Sequence, residues 1–324
     1  MVHAVRIHGY GGPDVLKYEV VDVAAPAAGE VRLRQTACGL NFIDAYQRSG
    51  AYKLPALPAV LGMEGAGEVI ALGAGVTSVK VGDRVAYAMS VGGYAQERNI
   101  AAARVVKVPA AIDDATAAAM MLQGMTVRYM FREIFAVDAK TVMLFHAAAG
   151  GVGLIACQWA RALGATLIGT AGSDEKAVLA KAHGAAHVIN TRREDFVARV
   201  REITGGAGCD VVYDSIGKDT FPGSLDCLKP KGLWVSYGAA SGPVPPFEMA
   251  MLAGKGSLFA TRPTLATYIA KREDLEANAA ELFHMVETGA IKIDVNQRYP
   301  LSEAAQAHRD LEARKTTGST VLVP

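Results

Sequence analysis

Thr141-Val142-Met143-Leu144-Phe145-His146-Ala147-Ala148-Ala149-Gly150-Gly151-Val152-Gly153 is the stretch on which the fold turns. Thr141 to His146 is apolar and partly β-branched, short enough for a buried strand. After the glycines, residues 154–163 have the spacing and composition of a helix. Gly164-Ala165 ends that helix, and residues 166–170 read as a second strand. Gly151, Gly153 and Ala156 therefore fit G-x-G-x-x-[GA] at a strand-to-helix turn, the dinucleotide fingerprint. The chemical reason is close approach. A pyrophosphate reaches the N–H groups of a helix N-terminus only where no side chain blocks it. A small residue at 156 lets the helix pack on the strand.

Downstream, the α/β alternation continues. A helix is expected over 174–183 with Ser173 as its N-cap, then a strand over 187–190 and a helix over 194–204. A strand over 210–214, a helix over 221–228, and strands over 232–238 and 257–261 follow. That makes about six strands, as in a doubly wound parallel sheet. Residues 266–289 read as a long helical region, with a helix after Ser302 and a strand over 319–323. Upstream, residues 2–108 are β-rich: residues 31–37 alternate like a half-buried strand, and 65–72 and 83–88 are short strands between glycine turns. Residues 41–49 read as a short helix, and 113–121 and 126–135 as two more. The simplest architecture returns the last segment to the first domain and inserts the nucleotide domain, leaving a cleft where binding sites commonly lie.

The totals agree with this. A chain of 324 residues suggests two domains, and 51% hydrophobic residues supply large cores. A net charge of +1 gives no basic excess to argue for nucleic acid or an anionic membrane. No run approaches a transmembrane helix, and the N-terminus lacks the apolar core of a signal peptide. The 4 cysteines are scattered without a C-x-x-C, which points to a reduced, cytoplasmic protein.

Gly11-Gly12-Pro13-Asp14-Val15-Leu16, Asn41-Phe42-Ile43-Asp44, Gly82-Asp83-Arg84-Val85, the glycine turn, Asp214-Ser215-Ile216-Gly217 and Thr261-Arg262-Pro263 together resemble the medium-chain dehydrogenase/reductase superfamily. The group they most resemble is the NADPH:quinone oxidoreductases related to zeta-crystallin, and the likeness runs end to end. It implies a β-rich, distorted, GroES-like barrel bearing the catalytic residues over 1–124 and 265–324, with a Rossmann domain over 125–264 inserted in it. It also implies a homodimer. By the same resemblance Phe42, Ile43, Asp44, Thr126, Gly150, Gly151, Val152, Gly153, Ser215, Gly217, Tyr237, Gly238, Thr261 and Arg262 contact the cofactor.

Zinc-dependent relatives place a cysteine ligand where this chain has Asn41, and a histidine where it has Met63 between Gly62 and Glu64. An amide and a thioether are poor zinc ligands beside thiolate and imidazole. No four-cysteine lobe is present, so no metal site is expected. Glu64 reads as a hydrogen-bonded structural carboxylate.

NAD-specific folds place an acid on the adenine ribose near the end of the second strand. Here that strand is followed by Ala171-Gly172-Ser173-Asp174-Glu175-Lys176. Ser173 can donate to a 2′-phosphate, Lys176 adds a point charge, and Arg192 lies just past the third strand, where many family members carry tyrosine. Asp174 is the counter-evidence, although a first-turn helix residue is its plainer reading. The balance favours NADPH.

On the substrate side, the resemblance puts Asn41 and its neighbours near the nicotinamide. Tyr46 and Tyr52 lie close in sequence and offer aromatic surface and hydroxyls to a flat carbonyl acceptor. The reading is a metal-free NADPH:quinone reductase with Asn41, Tyr46 and Tyr52 as catalytic candidates. Reduction of an activated C=C bond in an enal or enone uses the same parts. The alternative of another class is an NADPH-holding RNA-binding or structural protein.

Overall fold

The computed structural model describes residues 1–324. The chain divides into two compact units: Met1–Thr126 with Tyr268–Gly289 and Ile293–Pro324, and Val127–Thr267 with Ala290–Lys292. The second is inserted, along the chain, between segments of the first.

The first unit is β-rich. Its organising strand, Glu30–Leu40, pairs antiparallel with Glu64–Leu72, Glu97–Ala101 and Ser319–Val323 within a 7-stranded sheet. Val31, Leu33 and Gln35 alternate inward, as a half-buried strand requires. Beyond Gln35 the ladder shifts register, and Ala37, Cys38 and Leu40 are all buried. The strand therefore outruns its alternating pattern, which ended at Ala37. Val2–Ile7, Lys17–Val21 and Ala59–Val60 form a separate 3-stranded sheet.

The second unit holds a 6-stranded parallel sheet in the order His187–Asn190, Thr166–Ala171, Val142–Phe145, Cys209–Asp214, Leu228–Ser236, Phe259–Thr261. Counted along the chain this is the doubly wound Rossmann order. Met143, Leu144 and Phe145 are wholly buried, so the strand reads as a continuous apolar run. Leu144, Ile168, Ile189, Val212 and Trp234 share one core cluster.

Several boundaries differ from the sequence expectations. The two helices foreseen over 113–121 and 126–135 are one, Asp114–Tyr129, closed by a π turn over Met130–Ile134. Gly124 lies inside that helix and leaves room for a neighbour: a Cβ there would lie 2.5 Å from Leu282. The helix expected from 194 starts at Phe196, since Asp195 caps it by accepting from the N–H groups of Val197 and Ala198. The helix expected over 221–228 shrinks to Gly223–Asp226, and the next strand begins at Leu228 rather than at 232. The long helical region splits into Leu265–Tyr268 and Arg272–Glu287. No helix is long and apolar enough to cross a membrane.

Candidate active site

In the second unit the strand Val142–Phe145 feeds directly into the glycine turn. Ala147 takes the left-handed region at φ 54, unusual for a residue with a Cβ. Thr170 of the adjacent strand holds it there: Ala147 N–H donates to its Oγ1 at 3.2 Å and Ala148 N–H to its carbonyl at 2.9 Å. Gly150 is the N-cap of the helix Gly151–Ala162, in extended conformation, and no side chain caps the helix. No acidic residue occupies its first turn. By contrast Ser173 and Asp195 cap the helices that follow. The helix Gly151–Ala162 thus keeps its first N–H groups and its positive dipole end for an external anion. Gly153 is required for packing, because a Cβ there would lie 2.5 Å from the Ala147 carbonyl oxygen. Gly169 makes similar room, a Cβ there meeting Ala148 at 2.7 Å. Thr170 and Gly169 support the turn from the neighbouring strand, and nothing in the motif itself points to them. These residues fit the pyrophosphate of a dinucleotide.

The other nucleotide candidates of this unit lie along the same edge of the sheet, at the C-terminal ends of its strands, where open α/β sheets bind ligands. Ser173 caps its helix by accepting from Lys176 N–H at 3.3 Å. Arg192 is exposed, in the loop after the third strand of the unit. Ser215 and Gly217 follow the strand Cys209–Asp214. Buried Asp214 fixes that loop, accepting from the N–H groups of Ile216 and Gly217 and from the hydroxyls of Thr220 and Ser224. Burial alone would raise its pKa, but nearby His146 and these hydrogen bonds bring it below the usual value. His146 is itself wholly enclosed, between Thr170 Oγ1 at 3.1 Å and Ser224 Oγ at 3.0 Å, and is a framework residue. Gly238 lies against Ser215, where a Cβ would meet the Ser215 carbonyl oxygen at 2.7 Å. Tyr237 donates its N–H to Asp214 O at 2.8 Å and packs its ring on Phe145. Thr261 pairs with Val235, and Arg262 reaches Ser236 O at 2.6 Å.

In the first unit Asn41 caps the helix Phe42–Ser49. Its side chain sits in a directional chain of buried hydrogen bonds. Ser319 Oγ donates to Gln123 Oε1 at 2.8 Å, Gln123 Nε2 to Asn41 Oδ1 at 3.1 Å, and Asn41 Nδ2 to Glu64 Oε2 at 2.7 Å. Leu122 N–H donates to the other oxygen of Glu64 at 2.7 Å. Gly39 leaves the space for that carboxylate: a Cβ there would lie 2.3 Å from Glu64 Oε2. Burial pushes Glu64 up to about 8, against the hydrogen bonds that favour its charge.

Asp44 begins a second buried network. It accepts from Asn41 N–H at 2.8 Å and from Tyr94 OH at 2.8 Å, and burial pushes it up to about 7. Tyr94 OH also meets His308 Nε2 at 3.2 Å, and His308 Nδ1 meets Arg48 at 3.0 Å. Arg48 forks onto Glu312 at 3.0 and 2.7 Å. Burial and Arg48 together depress His308 to about 3. Asp44 is fully enclosed, so its first role is to fix the helix that carries Phe42, Ile43 and Tyr46. Tyr46 and Tyr52 meet edge to face at 5.2 Å, Phe42 lies 6.3 Å from Tyr46, and Tyr52 is 43% exposed. Thr126 is buried, its hydroxyl donated to Leu122 O at 2.7 Å within its own helix. Gln123, Ser319, Tyr94 and His308 were not singled out from the sequence; they come from distant segments and carry no local motif.

No group of three His, Cys, Asp or Glu side chains is placed to hold a metal ion. Around position 41 the polar groups are amides and a carboxylate that already bond one another.

Two family models match the chain: the alcohol dehydrogenase GroES-like domain over residues 27–144 and the zinc-binding dehydrogenase over 151–283. A quinone oxidoreductase of Pseudomonas aeruginosa is 53% identical, over 100% of both chains. The 2-haloacrylate reductase of a Burkholderia species is 46% identical, over 100% of this chain and 99% of its own. The crystal structure of Escherichia coli quinone oxidoreductase complexed with NADPH superposes with TM-score 0.98 at 49% identity, covering 99% of this chain and 100% of that one. The fold and glycine turn define a medium-chain dehydrogenase/reductase, and the chain belongs, within that superfamily, to the zinc-independent quinone oxidoreductase family.

Proposed function

We propose that this protein is an NADPH-dependent quinone reductase that works without a metal. The observation that carries the reading is the uncapped, acid-free N-terminus of the helix Gly151–Ala162 at the glycine turn. It suits a pyrophosphate, and the relative solved with NADPH has the same fold. NADPH supplies a hydride to the acceptor when bound. The chain's own part is to bind and orient. Gly150, Gly151, Val152 and Gly153 receive the pyrophosphate; Ser173, Lys176 and Arg192 receive the 2′-phosphate. Ser215, Gly217, Tyr237, Gly238, Thr261 and Arg262 line the rest of the nucleotide's path. Phe42, Tyr46 and Tyr52 give aromatic surface to a flat acceptor, Asn41 offers an amide to its carbonyl, and solvent or a tyrosine supplies the proton.

The relative named 2-haloacrylate reductase favours one second reading, reduction of an activated C=C bond by the same hydride. The test is a panel of quinones and enones with NADPH, following oxidation of the cofactor and the identity of each product. Turnover of quinones supports the main reading; turnover of enones alone replaces it. No NADPH oxidation with any acceptor would sink both.

We further propose a homodimer in the cytoplasm. Phe259–Thr261 is an edge strand, with Phe259 63% exposed and Met249 74% exposed. An apolar edge of this kind suits pairing with a second copy. All the cysteines are free and buried, which suits a reducing compartment. Sedimentation of the wild type and of Phe259→Lys checks the dimer, which the lysine should weaken; a monomeric wild type would refute it.

A further inference from the structure

Asp174 stands one residue beyond Ser173 at the end of the second strand of the nucleotide unit, the place where an acid selects NAD by binding the ribose. In this chain it is already engaged. Its Oδ1 accepts from Asn190 Nδ2 at 2.6 Å, and its Oδ2 pairs with Arg193 at 2.7 Å. Asn190 is itself fixed on every polar side. Its N–H donates to Glu194 Oε1 at 2.9 Å, and its carbonyl accepts from the N–H groups of Arg193 and Glu194 at 3.0 Å each. Its side-chain Oδ1 accepts from Arg192 N–H at 3.1 Å. With Oδ1 turned to Arg192, the amide must turn Nδ2 the other way, onto Asp174. The two strand ends are held side by side, Asn190 opposite Ala171, with Thr191 N–H on Ala171 O at 3.0 Å. One buried amide therefore pins the acid and sets the backbone of Arg192.

We propose that Asn190 and Arg193 are specificity residues that act through Asp174: they mask the carboxylate that would otherwise favour NADH and repel the 2′-phosphate. This rests on the reading of NADPH as the cofactor. The Asp174–Arg193 pair is mostly exposed, at 53% and 71%, so it adds little to stability. Its consequence is local charge: a carboxylate beside Ser173 is offset by a guanidinium. Released, it would offer two acceptor oxygens to a ribose diol and a negative charge to a phosphate.

The test is a double-mutant cycle read by direct binding. Wild type, Arg193→Ala, Asp174→Ala and the double variant are titrated with NADPH and with NADH at one ionic strength, using the fluorescence of the reduced nicotinamide. Arg193→Ala should weaken NADPH by about tenfold, the size of one charge-assisted contact, and leave NADH unchanged or tighter. With Asp174→Ala in place, removing Arg193 should change NADPH binding by less than about twofold, because the masked charge is gone. Equal loss in both backgrounds would show Arg193 meeting the phosphate itself and overturn the proposal, as would an unchanged Arg193→Ala. A wild type with no preference for NADPH would overturn the cofactor reading beneath it.

Discussion

The glycine turn and the buried chain around Asn41 work by opposite means. At the turn, side chains are kept out: the helix Gly151–Ala162 starts without a cap, and a Cβ on Gly153 would strike the backbone. Around Asn41, side chains are brought in, and Ser319, Gln123, Asn41 and Glu64 pass their hydrogen bonds in one direction. The first region serves by backbone geometry, so any added atom obstructs it. The second serves by an allotment of donors and acceptors, so the damage comes from reversing one polarity rather than from adding bulk.

The sharpest way to break this contrast is Gly151→Val. A branched side chain at the first helical residue enters the space of the pyrophosphate. Losing two charge-assisted hydrogen bonds, each of about 1.5–3 kcal/mol, should weaken NADPH by about a hundredfold or more. Calorimetric titration, with circular dichroism to show an intact fold, measures it. Wild-type affinity in the variant would reduce the fingerprint to an ordinary turn.

The buried carboxylates respond to pH rather than to bulk. Asp44 titrates at about 7 in the folded chain against 3.8 for the free group. Between those values the folded state holds a proton that the unfolded chain has released. Asp44 therefore favours folding at low pH, and that contribution is lost as pH rises through about 7. Asn at this position cannot ionise and can still accept from Asn41 N–H. The melting temperature of Asp44→Asn relative to wild type should climb by several degrees as pH is raised across this window. A difference independent of pH would mean that Asp44 folds as a carboxylate throughout.

The same contrast explains what could be read from the sequence. The turn was legible because its requirements are local: an apolar strand, closely spaced glycines and a helix in one run. The doubly wound sheet followed from the alternation behind it. The polar chain was legible only at one end: Asn41 was a candidate and Glu64 read as a hydrogen-bonded carboxylate. Gln123 and Ser319 come from distant segments, carry no local motif and look like ordinary polar residues. Asn190 escaped for a related reason: it closes a tidy strand, and only the parallel pairing with Ala171 turns it toward Asp174. A helix end went wrong where a side-chain cap, as at Asp195, outweighed composition.

A milder test sits at the rim of the nucleotide unit. Lys176→Ala and Arg192→Ala should each weaken NADPH by about tenfold, since each removes one charged contact to the 2′-phosphate. NADH lacks that phosphate and should bind as before. Equal losses for both cofactors would assign the residues to the pocket in general. No loss for Arg192→Ala would leave Arg192 a surface charge and place the selectivity on Ser173 and Lys176.

The smallest expected effect separates surface from chemistry in the β-rich unit. Tyr52 meets Tyr46 edge to face at 5.2 Å and is 43% exposed, so its ring can present area to a planar acceptor. Removing the ring in Tyr52→Ala forfeits an aromatic contact of about 0.5–1.5 kcal/mol, which raises KM for a quinone by about two- to tenfold. Tyr52→Phe keeps the ring and should leave KM within about twofold, because the area is unchanged. NADPH affinity should not move in either variant, which sets them apart from every change at the glycine turn. The informative departure is a Phe variant with normal KM and a depressed kcat. That split removes an interaction made only as the hydride moves, and it would reassign the proton from solvent to the Tyr52 hydroxyl.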